Sequence, residues 1–531
     1  MKQLPVALAI TALWVSFSAA KTYYVSKTGN NTSGNGSEGA PWFTIQKAAD
    51  MAAAGDTVNV KAGTYSDNVS PQNSGTATKR IIYQPYGSDK VIITGGFNIT
   101  KDYITVQGFE FSGCSIMFGF QAPGGTHCRI LDNYIHNSGV FGLFIHGSYH
   151  IIRGNRISNN GSSWGGQITT GWGSGPDPAH HIVIEYNEVS DGEGNGEDLM
   201  QYLGHDILVR GNYFHHLGDN GRHNDIYQSG GGDYNIWMIN NRFEHLRGVQ
   251  YFMPGPSGDQ DHTWRGNLFW GGIGWGFNGA PEGMRVMHNT FNVTSGWGVN
   301  ACGKAYNNIF SSPGSDGHNG DPLDYNCVYP APCCATQGPN DLWDVDPLFV
   351  NVEDHDYQLQ NTSPCIDAGT FPATTTSAGS GTELPVDDAR IFVDGFGIAD
   401  GDLIQLEGQT QTARITSINY STRVLTLDRS LTWTNGQGVS VPYSGSAPDM
   451  GAFEHGLATN IPQRPGREYA PAPETRPGLV RPGNRIPVSQ YVKVYDICGR
   501  PVGSPAFNSN GVYFFTQDKP QVINKRVILV K

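Results

Sequence analysis

The chain has 531 residues, of which 70 are glycine and only 15% are charged. It is too long for one compact core, and a glycine-rich, charge-poor composition excludes a helical bundle in favour of strands and tight turns. A net charge of −13 argues against a general binder of nucleic acid or of anionic membranes, because both need basic surface.

In chain order, residues 1–20 are expected to be a secretory signal. Lys2 supplies the positive start, Val6 to Val15 is mostly apolar, and Ser18, Ala19 and Ala20 are small. The apolar run is too short to span a bilayer, so the mature protein is expected to be soluble and exported, without membrane insertion. Export permits disulfides, and Cys114, Cys128, Cys302, Cys327, Cys333, Cys334, Cys365 and Cys498 are available. They show no CxxC pair and no zinc-finger spacing. Cys114 with Cys128, and Cys302 with Cys327, are the local pairings considered; the sequence fixes no connectivity.

A short helix is expected over Thr44 to Ala54, because Ile45, Ala48, Ala49 and Ala52 share one face. A phrase then recurs between residues 104 and 328: ITVQGFEF, RILDNYI, IIRGNRI, IVIEYNEV, ILVRGNYF, IWMINNRF, TWRGNLF, RVMHNTF and AYNNIF. Each is an apolar alternation, a turn residue and one more apolar residue. The turn position reads Gly108, Asn133, Asn155, Asn187, Asn212, Asn241, Asn267, Asn289 and Asn308. Repeats of two to three dozen residues indicate a solenoid whose units bury their apolar faces only by stacking. Asparagine suits such a bend because it tolerates left-handed backbone angles, and stacked asparagines can form an internal amide ladder.

Past the repeats, DVDPLFVNVEDHDYQLQNTSPCIDAG (344–369) and APDMGAFEHG (447–456) flank an insertion at 373–446. The insertion holds strand-like runs such as DLIQLEG and RVLTLD, so a small β domain is expected there. Residues 457–488 are rich in proline and arginine and read as an extended linker. Residues 489–531 form a last short β-rich piece.

Chemistry concentrates in residues 102–303, which hold most of the histidines, seven tryptophans and no lysine. Indoles stack on the C–H faces of sugars, so Trp172, Trp275 and Trp297 are candidate glycan-binding groups; for any one of them, packing in the core or a turn is an equal alternative. A second strand in each coil aligns by its glycine flanks: GLFIHG, QITTG, EDLMQY, NDIYQS, VQYFMP, WGFNG and WGVNA. This register puts Asp198 one coil below Asp225 and Gln201 below Gln228, with the carboxylates roughly 5 Å apart. Close carboxylates split their pKa values and yield an acid and a base. Alternatively, Glu197, Asp198 and Asp225 offer the oxygen ligands that Ca²⁺ takes. The structural alternative is a pair of hydrogen-bonded turn aspartates. Around them, His223 can move a proton near neutrality, Tyr227 can protonate a leaving oxygen, and Arg222 can hold a substrate carboxylate. Gly230 to Gly232 leave room for a polymer, and Arg247 and Gln250 extend the strip.

The repeat resembles the right-handed parallel β-helix proteins of the pectate-lyase-like superfamily. The opening YYVSKTGNNTSGNGSEGAPWFTIQKAADMAAAGDTVNVKAGTY is similar to that superfamily's entry, and SGTATKRIIYQPYGSDKVIITG to the early coil of its polysaccharide lyases. The resemblance covers most of 22–370 and 447–456, and implies an all-β solenoid over 21–372 with 447–456 as its closing strand. The end, YVKVYDICGRPVG to KRVILVK, resembles the C-terminal sorting domain of the bacterial type IX export route, which implies a secreted or cell-surface bacterial protein. Several β-helix lyases use a lysine base, and none is available within 102–303; an arginine base or a His/Tyr pair would be required. The paired-Asp and Gly-His-Gly motifs of polygalacturonases are also missing.

Three functions follow. The first is a polysaccharide lyase acting by β-elimination on a uronate-containing glycan. The second is a glycoside hydrolase using Asp198 and Asp225. The third is a non-catalytic glycan-binding surface protein. In each the partner is a polysaccharide, the protein is expected to be a monomer, and the cofactor is either none or Ca²⁺.

Overall fold

The computed structural model describes residues 19–118, 124–161, 165–170, 179–190, 198–201, 204–216, 224–246, 250–253, 258–271, 275–278, 281–292, 299–311, 318–320, 323–330, 337–458 and 461, with three strands between 493 and 530. The expected signal segment, Arg222, His223, Glu197, Trp172, Arg247 and Trp297 lie outside the described residues. Of Gln250 and Trp275 only the backbone is described.

The chain winds as a right-handed parallel β-helix, the hand that parallel crossovers take. Each recurring phrase is two strands and the turn between them: in IIRGNRI, Ile151–Arg153 joins one sheet and Arg156–Ser158 the next. Among the described residues, sheets 1 and 2 have 13 strands each and sheet 3 has ten. Sheet 1 runs from Thr22–Val25 to Leu323–Asp324, sheet 2 from Gly63–Tyr65 to Leu342–Trp343, and sheet 3 from Phe97–Asn98 to His318–Gly320.

The alternation in sheet 1 puts Ile184, Val209 and Met238 inside the coil, fully buried. In sheet 2 one inward column is a phenylalanine stack: Phe214, Phe243, Phe269, Phe291 and Phe310 have ring centroids 4.7–5.0 Å apart. That spacing is the interstrand distance, so a ring in one tier rests on the ring below. Each such side chain withdrawn from water is worth about 2 kcal/mol.

The asparagines form a continuous buried ladder from Asn133 to Asn326, ending on Asp341. Asn187 shows the pattern: its backbone N–H and its Nδ2 both donate to Asn212 Oδ1, at 2.9 and 3.0 Å, while Nδ2 also reaches Ile152 O at 2.8 Å. The left-handed bend is made one residue earlier than expected. Asp132, Tyr186, Asn240, His288 and Asn307 have φ of 51–58°, alternating with Gly108, Gly154, Gly211 and Gly266. Gly108 therefore aligns with Asp132, and Phe109 occupies the ladder position, where its N–H donates to Asn133 Oδ1. The ladder asparagines serve by their amides, each capping the turn of the preceding tier, and their own backbone is not the strained one.

The first coil is plugged by the helix Ile45–Met51, shorter than expected, with Thr44 as its N-cap. Ile45, Ala48, Ala49 and Ala52 are buried against the core, and Asp67 Oδ2 accepts the Ile45 N–H at 2.6 Å.

Residues 373–440 form a six-stranded antiparallel sheet seated on the outer face of sheet 1. Val393, with Phe396 and Tyr420, packs on Val183, Leu208 and Trp237. Trp237 Nε1 donates to Arg390 O at 2.9 Å, Arg265 pairs with Asp402 at 2.8 Å, and Arg285 grips both oxygens of Asp388 at 2.8 and 3.0 Å. Trp237 and Trp264 are thus packing residues.

Residues 344–369 and 447–458, with Ile461, return over the outer face of sheet 2, where Phe349, Tyr357, Leu359, Met450 and Phe453 cover Leu268, Ile309 and Cys327. Residues 447–456 hold no strand and cover the coil from outside, because Gly451 N–H is bonded to Asn307 O and Ala452 N–H to Thr290 Oγ1. Neither disulfide considered from local spacing exists. Cys114 and Cys128 are free thiols on different corners of the coil, donating to Ile93 O at 3.2 Å and Lys101 O at 3.3 Å. Cys327 is also free and lies against Cys365 beneath the covering segment.

Two acids pin this segment. Glu454 accepts the Ser444 and Asp449 N–H groups at 2.9 and 3.0 Å. Burial, then the neighbouring Asp449 carboxylate, pushes the Glu454 carboxyl up to about 8 from 4.5. The folded state therefore keeps a proton that the unfolded chain releases above pH 4.5, so this group's contribution to stability falls as pH rises from 4.5 towards 8. We expect Glu454→Gln to narrow the difference in thermal midpoint between pH 5 and pH 8; an unchanged difference by calorimetry at the two pH values would refute this.

Residues 463–531 are a separate unit, in which Lys493–Asp496, Gly511–Thr516 and Lys525–Val530 form a three-stranded antiparallel sheet. No helix among the described residues is long and apolar enough to cross a membrane.

Candidate functional site

The insertion occupies sheet 1 and the covering segment occupies sheet 2. Among the described residues, neither is hydrogen-bonded to sheet 3. One register column of sheet 3 runs through Asn98, Met117, Phe144, Thr169, Gln201 and Gln228, one residue per tier, and of these Phe144, Thr169 and Gln201 are buried.

Gln201 pairs with Gln228 and Met200 with Tyr227, so Asp198 and Asp225 hold the same position in consecutive tiers. Asp225 N–H donates to Asp198 Oδ1 at 2.8 Å, and Gln201 Nε2 to Asp198 Oδ2 at 2.6 Å. Asp225 O in turn accepts the Leu199 N–H at 3.0 Å. Both aspartates are buried, Asp198 to 1% exposure and Asp225 to 0%. Gln250 follows Asp225 in the next tier, and Trp275 follows Gln250.

Tyr227 lies inside the coil. It is fully buried in the apolar core, and its hydroxyl is bonded to Asp233. Burial first, and then Asp233, holds the phenol well above its ordinary range. A group so placed keeps its proton and cannot reach a polymer outside.

Asp233 belongs to a second aspartate tandem that the sequence analysis missed. Asp233 and Asp259 precede consecutive sheet 1 strands, and Asp233 N–H donates to Asp259 Oδ1 at 3.0 Å. Ser229 Oγ adds a bond to the same oxygen at 2.8 Å, and Gly204 N–H donates to Asp233 Oδ1 at 2.9 Å. His262 Nε2 bonds Asp233 O at 3.2 Å, and burial holds its pKa down against the pull of Asp233. Burial raises the Asp233 carboxyl against the pull of Tyr227 and Ser229. The signal was present in the sequence as GGDYNIW and SGDQDHTW, a Gly-Asp before each strand, but the alignment started from the other end of the tier.

A stack of flat rings runs along the neighbouring corner, where sheet 1 strands begin. His180, His205 and Tyr234 lie in consecutive tiers with parallel planes, centroids 5.0 and 4.6 Å apart. Tyr234 is 40% exposed. Asp206 Oδ2 bonds His205 Nδ1 at 2.7 Å, and this bond with one from Asn235 holds the Asp206 carboxyl below its usual range despite burial.

Each Asp198 oxygen accepts one hydrogen bond from the protein, and among the described residues no group of three or more His, Cys, Asp or Glu side chains could hold a metal ion; Glu197, the third expected calcium ligand, lies outside them.

Residues 23–177 match the family described as Pel9A-like, right-handed β-helix region. An uncharacterised protein, YwoF, of Bacillus subtilis is 28% identical over 131 residues, covering 21% of this chain and 28% of its own. The pectate lyase PEL9 of Emericella nidulans is 37% identical over 78 residues, covering 14% of this chain and 19% of its own. The chain thus spans less than a third of the length of either curated relative. Among solved structures, pectate lyase Pel9A aligns with 83% of this chain and 97% of its own at 15% identity and a TM-score of 0.41. An alginate lyase from Paenibacillus aligns with 58% and 97% at 18% identity and a TM-score of 0.40. At these identities and TM-scores the two solved structures carry no argument about substrate.

Proposed function

We propose that the protein is an exported carbohydrate-active enzyme that cleaves a uronate-containing polysaccharide by β-elimination along sheet 3. The observation that carries the reading is the tier-on-tier placement of Asp198 and Asp225 at the head of the sheet 3 strands, the face that neither accessory segment is bonded to. The match of residues 23–177 to a Pel9A-like region and the partial likeness to a pectate lyase support the choice of substrate class. The parallel rings of His180, His205 and Tyr234 support it too, since flat faces repeated along the solenoid axis suit a polymer lying across tiers.

In this reading Arg222 pairs with the uronate carboxylate and so acidifies the neighbouring α-proton. His223 removes that proton as a neutral imidazole. The C–O bond to the leaving sugar breaks, its electron pair departs with the oxygen, which takes a proton from solvent water, and a double bond remains between the two ring carbons. Asp225 supplies negative charge that favours the imidazolium formed, and Asp198 fixes Asp225 by its backbone. Gln201, Gln228, Gln250 and Arg247, with Trp172, Trp275 and Trp297, extend the face as subsites. Tyr227 has no part, being inside the coil. Residues 1–20 serve as the export signal and 489–531 as a type IX sorting tail.

The carboxylate tandem also favours a second reading, a glycoside hydrolase, for which close acids predict retention of configuration. One assay separates the two. Incubation with pectate, alginate and glucuronan is expected to raise ultraviolet absorbance from unsaturated ends on one of them. New reducing ends without that absorbance would establish the hydrolase, and neither signal on any glycan would overturn both.

A further inference from the structure

Cys327 and Cys365 meet where the covering segment crosses the last tiers of sheet 2. Cys327 opens the strand Cys327–Tyr329, in register with Ile309 in the tier before and Leu342 in the tier after. Strand alternation turns Val328 into the coil core and leaves Cys327 on the outer side with Leu268 and Ile309. Its Sγ donates to Val345 O at 3.2 Å, at the start of the covering segment. Cys365 comes from the far end of that segment. Its N–H donates to Ser363 Oγ at 3.2 Å, its carbonyl accepts the Met450 N–H at 3.0 Å, and Ser363 Oγ in turn donates to Pro347 O at 2.6 Å. Just beyond it, Thr370 N–H donates to Asn307 Oδ1 at 2.8 Å, so the backbone around Cys365 is fixed to the coil.

The two thiols are hydrogen-bonded to each other, and both residues are fully buried. A buried free cysteine on its own acts as a small apolar side chain. Two placed thiol to thiol are a different arrangement, because a disulfide forms only where the backbone already brings the two side chains together. Here the packing of two separate stretches of chain does so without the bond. We infer that Cys327 and Cys365 are a disulfide site, which on oxidation staples the covering segment to the outer face of sheet 2. The inference takes its oxidising setting from the proposed export and is independent of the cleavage reaction; a reducing compartment keeps both thiols.

The co-reactant is a disulfide, either a small one such as oxidised glutathione or that of a thiol oxidase. One thiolate of the pair attacks a sulfur of that disulfide and releases the other sulfur as a thiolate. The second thiolate of the pair then displaces the oxidant's remaining sulfur, so an S–S bond joins the two Sγ atoms, two protons leave the pair, and the oxidant is reduced to two thiols. The contact with Cys365, and then burial, hold the Cys327 thiol far above its ordinary range. Exchange needs a thiolate, so the bond forms while the segment is still open and is sheltered once it closes. The cross-link closes a loop of about 40 residues, long enough to restrict the unfolded chain appreciably. It also complements Glu454, whose hold on the same segment weakens as pH rises, whereas a covalent bond is indifferent to that change.

The test folds the full chain once in a glutathione redox mixture and once with a phosphine reductant, alkylates both, and cuts them before aspartates for mass spectrometry. Peptide 324–340, which holds Cys327, is expected to be linked to peptide 356–366, which holds Cys365, in the first preparation and not in the second. Cys333 and Cys334 share the first peptide, so the double variant Cys333→Ser/Cys334→Ser assigns the bond, and the link should persist in it. Absence of the link from the wild type, or its loss in the double variant, overturns the inference. By calorimetry the oxidised preparation should melt about 3 °C above the reduced one, and the gap should disappear in Cys365→Ala. Equal midpoints for linked and reduced wild type, or a gap that Cys365→Ala retains, overturn the stapling role. Both preparations are folded in vitro, so a missing link counts against this pair whatever becomes of the export reading or the cleavage assay.

Discussion

Asn212→Ala is expected to lower the free energy of unfolding by about 4 kcal/mol. The asparagine is fully buried, and its Oδ1 accepts both the Asn187 N–H and the Asn187 amide at 2.9 and 3.0 Å. Its own Nδ2 donates to Ile184 O and to Asn241 Oδ1, again at 2.9 and 3.0 Å. Alanine keeps the backbone and removes these four bonds and a fifth, from Nδ2 to Arg210 O at 3.2 Å, which strands donors and acceptors in an interior that water does not enter. Each stranded group costs about 1–3 kcal/mol, and the methyl that replaces the amide adds no compensating contact. Asn212→Asp restores the acceptor but loses the donor and buries a charge, so it should be no better. The exposed Asn68 serves as control, where alanine should change stability by about 0.5 kcal/mol at most. Urea unfolding of the full chain measures all three, and a loss under about 1 kcal/mol for Asn212→Ala would show that the ladder is decorative.

His223→Ala should reduce kcat on the cleaved glycan by about 100-fold or more, the usual contribution of a positioned base. The wild-type rate should rise with pH as the imidazole loses its proton, since only the neutral ring can accept one. That rise should vanish in His223→Ala, a readout that a merely structural role would not move. Asp225→Asn removes the charge behind the imidazolium and should lower kcat while leaving KM within about threefold, because the charge matters chiefly in the transition state. An unaltered pH profile in His223→Ala would remove the residue from the mechanism.

Much of the fold was legible because the solenoid repeats one local solution. The period of apolar residues, the asparagine at each corner and the one-faced helix at 44–54 are short-range patterns, and the tier-to-tier register of Gln201 with Gln228 follows from them by counting. The one-residue error at Gly108 has a physical cause. Glycine and asparagine both adopt left-handed angles, but the bend and the ladder are adjacent positions, and only the ladder needs an amide. Spacing alone misled the cysteines, since Cys114 and Cys128 are near in sequence but turn to different corners.

The candidate site was legible only in part. Asp198 and Asp225 could be aligned from the sequence, but not the closure of both Asp198 oxygens by Gln201 and the Asp225 N–H. Tyr227 looked like an outward acid because period-two alternation leaves the phase open near a strand's start, and a tyrosine can satisfy its hydroxyl inside the core if an aspartate waits there. Asp233 is that aspartate, contributed by the next strand.

By itself, then, the sequence determined the repeating element: how a tier is made and which groups stack on their counterparts above and below. Those are contacts between equivalent positions, and periodicity encodes them. Only the tertiary structure decided which outer faces the insertion and the returning segment cover. That choice rests on contacts such as Arg285 with Asp388 and Trp237 with Arg390, between residues more than a hundred positions apart and bound by no period.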